Sequence, residues 1–316
     1  MGLAGVMATW QYQTLYFGHE RGHRFSVLLL DNRGMGLSDR PLMRYSTSEM
    51  ARDVMEVLDH VGWRDRRQVH VVGISLGGMI AQELACLIPQ RISSLSLIST
   101  AAHLRGGDDD DDDDDDDDEG DASRRQQYTS TLAHAATAIT DRLSMLKPRS
   151  EEETIFHTSR LVFVPQWLSA PDQGSLPNPD STPRCQQPAT TSREYGRFHS
   201  NFQRYQAQEL VKRRGPGFSR LGYLCQAVAA VWHWKSHRQL RSMADDVGRK
   251  RILVMHGRHD LLIRLRFGLK LIDALEPAVV HVVDGMGHGP CVEREAWFNR
   301  TLEENLDKWQ GLDDDA

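Results

Sequence analysis

Short runs of apolar and β-branched residues recur along the chain, and polar or glycine-rich stretches bound each run. Such runs, without internal alternation, are typical of strands that are buried on both faces of a parallel sheet. The pattern predicts five strands, at Phe25–Leu30, Val69–Val72, Ile92–Ser99, Ile252–Met255 and Val279–Val283. Segments with helical spacing lie between several of them, so the chain is predicted to be an α/β protein with a mostly parallel sheet covered by helices.

Apolar residues at helical spacing predict the helices that cover this sheet. The segment Ser46–Gly62 begins with a capping box, which pairs Ser46 with Glu49, and it ends at a glycine. Its apolar positions form one stripe: Met50, Val54, Val57, Leu58 and Val61. Further helices are predicted at Phe267–Leu275 and Glu293–Trp309. The last of these places four large side chains on one face: Phe298, Leu302, Leu306 and Trp309.

The region 105–247 differs from the rest, because it contains helical patterns and no convincing strand. Helices are predicted within it at 123–146, 151–164, 193–214 and 219–234. We therefore expect a helical cap inserted into an α/β core made of 1–104 and 248–316. The aspartate run Asp108–Asp118 repels itself and has nothing to bury, so 108–121 is expected to be a disordered, solvated loop.

Charge and composition exclude several classes of function. The formal charge is −6, and removing the eleven charges of the aspartate run would leave +5, so the balance says little about partners. The sequence has no basic stripe and no long apolar span, so neither nucleic-acid binding nor membrane insertion is expected. No signal peptide is recognisable, which makes the cytoplasm the default location. The cysteines are scattered and are expected to be free thiols: Cys86, Cys185, Cys225 and Cys291.

The strongest chemical signal lies between the second predicted strand and the helix that follows it. The residues G-I-S-L-G, Gly73 to Gly77, have the G-x-S-x-G pattern in its strand–turn–helix setting. The turn strains the backbone and exposes Ser75 at the carboxyl end of the strand. An incidental serine in a glycine-rich turn is the alternative. The pattern favours Ser75 as a nucleophile.

A serine nucleophile needs a base, and the base needs a carboxylate that orients it. Asp260 and His288 each follow a predicted strand, and parallel strands bring their carboxyl ends to one edge of the sheet. The chain order Ser75, Asp260, His288 fits this architecture. Asp284 is a rival acid, although it lies in the same loop as His288. Polar loop residues without catalytic roles remain the alternative for both side chains.

Other positions are predicted to support these three. The amide of Leu76 at the helix start is a candidate donor to an oxyanion, and Leu3 in Gly2-Leu3 is the candidate second donor. His256 and His259 precede the acid and are expected to lie behind it. Two roles are open to three tryptophans, which either line an apolar pocket or form the core of the cap: Trp167, Trp232 and Trp234.

With these residues in view, the chain resembles the α/β-hydrolase superfamily, in its lid-bearing branch. The resemblance rests on Asp31–Asp39 (DNRGMGLSD), Gly73–Leu84 (GISLGGMIAQEL), His256–Asp260 and Gly287-His288. It is nearest to oxoadipate enol-lactonases, cofactor-free haloperoxidases and small carboxylesterases. It implies hydrolysis of an ester, a lactone or a related acyl bond in a small molecule through an acyl-serine. It also implies that neither a metal nor an organic cofactor is needed.

The resemblance also raises a second hypothesis. Members of the superfamily have a strand directly before the oxyanion loop, whereas this sequence begins at Met1-Gly2. We therefore expect the N-terminal strands of the sheet to be missing, and one of them would lie between Phe25–Leu30 and the strand before Ser75. An inactive or non-catalytic protein of the same fold is the alternative to the hydrolase. Leu76 after the serine disfavours prolyl aminopeptidases, and Ser75 disfavours enzymes with an aspartate nucleophile. The oligomeric state is left open.

Overall fold

The structure, a computed structural model, describes residues 1–104, 149–173 and 198–312. The strands within these ranges form one parallel sheet in the order β1-β2-β3-β4. They are β1 (Val69–Ile74), β2 (Ile92–Ile98), β3 (Ile252–Gly257) and β4 (Val279–Val283). All four match predicted strands, so the α/β parallel architecture is confirmed.

Helices lie between and after the strands. An irregular helical segment at 7–20 comes first, with successive 3-10, α and π turns. The helices that follow are α1 (Thr47–His60), α2 (Leu76–Leu87), α3 (Glu151–Val162), α4 (Pro165–Ser169), α5 (Asn201–Arg214), α6 (Arg220–Trp232), α7 (His237–Val247), α8 (Leu265–Leu275), α9 (Pro290–Glu293) and α10 (Glu295–Gln310). The single helix that was predicted at the C-terminal end is thus two helices, with a break at Arg294.

Helix α1 forms as its capping signals predict. The Glu49 amide donates to Ser46 Oγ at 3.2 Å, and the Glu49 carboxylate accepts from the Ser46 amide at 3.2 Å. Met50 and Leu58 of the predicted stripe are buried, whereas Val61 lies beyond the helix and is 41% exposed. The buried part of the stripe packs on α2 and joins the core on that side of the sheet.

Apolar side chains from both faces of the sheet form two hydrophobic clusters. Ile252 and Val254 of β3 belong to the cluster under α1, α2, α7 and α8. Leu253 and Met255 alternate with them and belong to the cluster on the other face. That second cluster contains the four residues predicted to share a face of the last helix: Phe298, Leu302, Leu306 and Trp309. The sheet is therefore covered on both faces, as the uninterrupted apolar strands require.

The prediction of a strand at Phe25–Leu30 is wrong. Within the described residues this segment pairs with no strand, and a cavity of about 520 Å³ lies between it and β1. Side chains of α1, α2 and α10 also line the cavity. A strand needs a neighbouring backbone to exchange hydrogen bonds with, and the apolar run has none beside it. The expectation of a further strand between the two segments stays a prediction.

Parts of the predicted cap lie outside the described residues. These include the aspartate loop 108–121, the helix predicted at 123–146 and Cys185. Helices α3, α5 and α6 match the other predicted helices of the region, while the division into core and cap stays a prediction. The cysteines Cys86, Cys225 and Cys291 are free thiols. No helix in the described part of the chain is long and apolar enough to cross a membrane.

A buried polar cluster ties the residues after α6 to the core. Lys235 Nζ lies 2.7 Å from a carboxylate oxygen of Glu83 on α2. His233 Nδ1 lies 2.9 Å from Thr47 Oγ1 and 3.6 Å from the other Glu83 oxygen. Burial lowers the pKa of His233 to about 3, and the positive charge of Lys235 and the neighbouring His103 act in the same direction. The imidazole is therefore neutral in the folded protein.

This histidine makes stability depend on pH. Its pKa in the folded protein is lower than the value near 6.5 of an unfolded chain, so below about pH 6.5 the unfolded state binds the extra proton. The stabilisation is present above that pH and is lost as the pH falls, by up to about 1.4 kcal/mol per unit. Urea unfolding of His233→Gln from pH 7 to pH 4.5 should show a flatter loss than the wild type. Parallel curves would contradict the prediction.

The turn between β1 and α2 leaves no room for side chains at its glycines. A Cβ on Gly73 would collide with the carbonyl oxygen of Gly77, and one on Gly78 would lie 2.6 Å from Thr100 Cβ. The neighbour of Gly73 is backbone, so no side-chain rotation can relieve that collision. Packing of the turn therefore requires glycine here, whatever the chemistry of the serine.

We expect Gly73→Ala to destabilise the protein because it overpacks a rigid turn. The free energy of unfolding in urea should fall by about 1–3 kcal/mol. Gly311→Ala is the matched control, since its Cβ would meet nothing closer than Lys308 O at 3.7 Å. Unfolding of both variants at the same urea concentration would show that the turn tolerates a Cβ at Gly73.

Candidate active site

Ser75 occupies a strained turn directly after β1. Its backbone has φ 56° and ψ −123°, in the positive-φ region that side-chain-bearing residues rarely adopt. Hydrogen bonds hold this conformation: the Ser75 amide donates to Ile98 O at 2.9 Å, and the Thr100 hydroxyl donates to Ser75 O at 2.8 Å. Ile98 is the last residue of β2, and Thr100 follows two residues later. The neighbouring strand therefore fixes the strained backbone that presents the serine.

Asp260 and His288 meet at the same edge of the sheet. His288 Nδ1 lies 2.7 Å from Asp260 Oδ2, and both side chains are buried. The other carboxylate oxygen accepts the amides of Leu262 at 2.9 Å and Ile263 at 2.8 Å. An ionised carboxylate only accepts hydrogen bonds, so His288 Nδ1 is the donor. In the neutral ring this leaves Nε2 as an acceptor, which is the form a general base needs.

Ser75 is placed at this edge without a bond to the imidazole. Among the described residues, neither Ser75 Oγ nor His288 Nε2 has a hydrogen-bond partner. Long or open contacts between nucleophile and base are common in enzymes without bound substrate.

The rival acid Asp284 and the two histidines His256 and His259 lie at different positions relative to Asp260. Asp284 is largely exposed and lies 3.7 Å from His259 Nδ1. His256 is buried. Its Nε2 lies 2.8 Å from Ile263 O and 3.4 Å from Asp260 Oδ2. Burial lowers the pKa of His256, and the nearby charge of Asp260 acts in the opposite direction. The lowered pKa favours the neutral ring, whose Nε2 donates to the carbonyl. His256 thus lies behind the acid, and His259 lies outside with Asp284.

The candidate oxyanion donors lie on either side of Ser75. Leu76 is the first residue of α2, where an amide has no acceptor within the helix. Gly2 lies against the serine, since a Cβ on it would be 3.5 Å from Ser75 Cβ. Leu3 follows and is partly buried against the core. The two amides predicted from the sequence therefore belong to segments that flank Ser75.

Gln226 supports the second of these segments, a role that the sequence does not predict. This side chain of α6 is fully buried; its Oε1 accepts the Ala4 amide at 3.0 Å, and its Nε2 donates to Arg33 O at 2.9 Å. One amide thus joins the loop containing Leu3 to the loop at Asp31–Asp39. The only sequence signal is a glutamine within an apolar helix, which does not identify its partners.

The loop containing His288 contacts the region predicted to be the cap. The His288 amide donates to Val162 O, at the end of α3, at 2.7 Å. The Phe163 ring packs on Trp167, with centroids 4.5 Å apart. The other two tryptophans considered for a pocket, Trp232 and Trp234, are 55% and 51% exposed. Their role in a pocket stays a hypothesis.

A parallel sheet with a strained serine, an aspartate and a histidine after three of its strands has the architecture of the α/β hydrolases. The chain belongs to the alpha/beta hydrolase fold family, whose sequence pattern matches residues 2–295. The resemblance inferred from the sequence is thereby confirmed.

Two curated relatives match a limited stretch of the chain. Over 105 residues it is 36% identical to a protein of Azorhizobium caulinodans named "Putative carbamate hydrolase RutD", a stretch that covers 33% of this chain and 37% of that protein. Over 98 residues it is 33% identical to 3-oxoadipate enol-lactonase 2 of Acinetobacter baylyi, covering 31% of this chain and 34% of that protein. The matched stretches span about a third of the length of these relatives.

Solved structures resemble the whole chain. The enol-lactonase from Burkholderia xenovorans LB400 has a TM-score of 0.60 at 18% identity, covering 97% of this chain and 88% of that one. A thermophilic esterase from Thermogutta terrifontis has a TM-score of 0.57 at 17% identity, covering 98% and 88%. At this level of identity the likeness shows the fold alone.

Replacing Gln226 tests its bridging role. In Gln226→Leu the Ala4 amide and the Arg33 carbonyl both lose their partner inside the protein, which should cost about 1–3 kcal/mol for each group left unsatisfied. Urea unfolding should therefore show a clear loss of stability. The control is Gln166→Leu, the same change at an exposed position. Equal unfolding curves for the two variants would refute the bridge.

Proposed function

We propose that this hydrolase-family protein is a serine hydrolase that cleaves an ester, a lactone or a related acyl bond. The observation that supports it best is the 2.7 Å contact between His288 and Asp260, on the same sheet edge as the strained Ser75 turn. Ser75 is the nucleophile in this proposal, His288 is the base, and Asp260 orients the imidazole. The contact supplies the oriented base that a serine hydroxyl needs at neutral pH.

The reaction follows from these roles. Ser75 Oγ bonds to the acyl carbon while its proton passes to His288 Nε2, and the carbonyl oxygen becomes an oxyanion held by the Leu76 and Leu3 amides. The proton then passes to the leaving oxygen, whose bond to carbon breaks, and an acyl-serine remains. Water attacks this ester with His288 as base again, which releases the acid and restores the serine.

The substrate class rests on the chemistry of the relatives. The names of two of them describe an enol-lactonase and a carbamate hydrolase. Lactones, esters and carbamates share an acyl carbon bonded to a leaving oxygen or nitrogen, which is what the Ser75 site would attack. We therefore expect a small acyl compound as substrate, with the region 105–247 acting as a cap above it.

A non-catalytic protein of the same fold is the second candidate. It is favoured by the missing hydrogen bond between Ser75 and His288 in the described residues, and by the cavity between β1 and 25–30. Reactivity of Ser75 distinguishes the two candidates, because only the hydrolase needs an activated serine.

Labelling with a fluorophosphonate probe tests the proposal, since the probe reacts with activated serines. We expect the wild type to be labelled and Ser75→Ala to lose labelling by at least about 10³-fold, because the nucleophile is gone. Ser242→Ala, at an exposed serine on α7, should label like the wild type. A folded wild-type sample without labelling would refute the hydrolase and favour the non-catalytic protein.

A further inference from the structure

Glu293 ends α9, five residues after His288, and its carboxylate points back to the loop that holds the histidine. Glu293 Oε2 accepts the amide of Gly287 at 2.7 Å. Glu293 Oε1 accepts the amide of Val164 at 2.6 Å. One carboxylate therefore joins the residue before the histidine to the segment that follows α3.

The two segments meet at further points around this bond. The His288 amide donates to Val162 O at 2.7 Å. A Cβ on Gly287 would lie 2.5 Å from that same carbonyl oxygen, and one on Gly289 would lie 2.7 Å from the Phe163 ring. The loop 287–289 is thus packed directly on the segment 162–164, and the carboxylate of Glu293 bridges the two.

The carboxylate of Glu293 accepts hydrogen bonds from backbone amides. Within the described residues it forms no ion pair, and the neighbouring Arg294 instead donates to the carbonyls of Asp284 and Gly285 at 2.9 and 3.1 Å. Burial raises the pKa of Glu293, and the charge of Asp260 acts in the same direction. The amides of Val164 and Gly287 and the charge of Arg294 lower it. Hydrogen bonds to an ionised acceptor are stronger than those between neutral groups.

We propose that Glu293 is a positioning residue for His288. It fixes the backbone of the loop 287–289 against the segment 162–164, so that the imidazole stands in one place relative to Ser75. Asp260 holds the ring at Nδ1, and Glu293 holds the chain from which the ring extends. The inference rests on the proposed serine hydrolysis, because it assigns Glu293 to the same base.

Positioning of this kind acts on the rate of the chemical step. Nε2 must come within hydrogen-bond reach of Ser75 Oγ when substrate binds, and the structure leaves that contact open. A displacement of the imidazole by about 1 Å can cost about 10²-fold in rate. A residue that fixes the position of the loop holding His288 therefore affects kcat without contacting the substrate.

Glu293→Gln tests the proposal with the smallest change in shape. The amide keeps one acceptor oxygen, but its NH2 group would face the second backbone amide, so donor would meet donor. We expect kcat to fall by about 10- to 100-fold while KM changes by less than about threefold. Glu293→Asp keeps the charge with a shorter reach and should recover part of the loss. Glu304→Gln, at an exposed glutamate of α10, should match the wild type.

A second measurement reports on the histidine without any substrate. NMR of the wild type should show the Nδ1 proton of His288 bound to Asp260 and slow exchange of the Gly287 and Val164 amides. In Glu293→Gln the Nδ1 resonance should shift or broaden, and both amides should exchange faster. An unchanged His288 signal would overturn the proposal, as would an activity loss that only follows the unfolded fraction.

The two proposals fail in different ways. If fluorophosphonate does not label the folded wild type, the hydrolase proposal fails, and the NMR comparison still decides whether Glu293 positions His288. If the wild type is labelled and Glu293→Gln has the same kcat, the hydrolase proposal stands and the role of Glu293 is refuted.

Discussion

The parallel pairing of the four strands is the constraint on which the rest of the site depends. It places the carboxyl ends of β1, β3 and β4 on one edge, where Ser75, Asp260 and His288 follow. Residues 185 positions apart, Ser75 and Asp260, thereby come to share that edge. The pairing of β1 with β2 also holds the strained serine, through the bonds to Ile98 and Thr100. Strain at a turn persists only where such neighbours determine it.

The strands of this sheet were predictable, because each is an apolar run bounded by turn residues. The predicted segment Val279–Val283 agrees with β4 at both ends, and Ile252–Met255 is two residues shorter than β3. The same pattern gave a false strand at Phe25–Leu30. Apolar character shows that a segment is suited to a sheet, but it cannot show whether a partner lies beside it. Here a cavity lies between that segment and β1.

Only the residues that the G-x-S-x-G motif and the order along the chain indicate could be predicted for the candidate site. The G-x-S-x-G turn and the loops after two strands predict Ser75, Asp260 and His288 as a candidate site, and the structure brings the last two into contact at 2.7 Å. Gln226 and Glu293 left no comparable signal. Their partners are backbone amides 222 and 129 positions away, Ala4 and Val164, and a bond from a side chain to a distant backbone creates no periodic pattern.

These two residues connect α6 and the segment after α3 with two different loops of the candidate site. Gln226 extends from α6 and holds the loop with the candidate oxyanion donor, while the segment after α3 meets the loop of His288 through Glu293. Both connections use backbone groups of these loops. They therefore depend on where α3 and α6 lie, and hardly on which side chains the loops carry. A shift of α6 would therefore move the loop containing Leu3, and a shift of α3 would move the loop containing His288. The placement of these two helices and the geometry of the candidate site are in this way mechanically coupled.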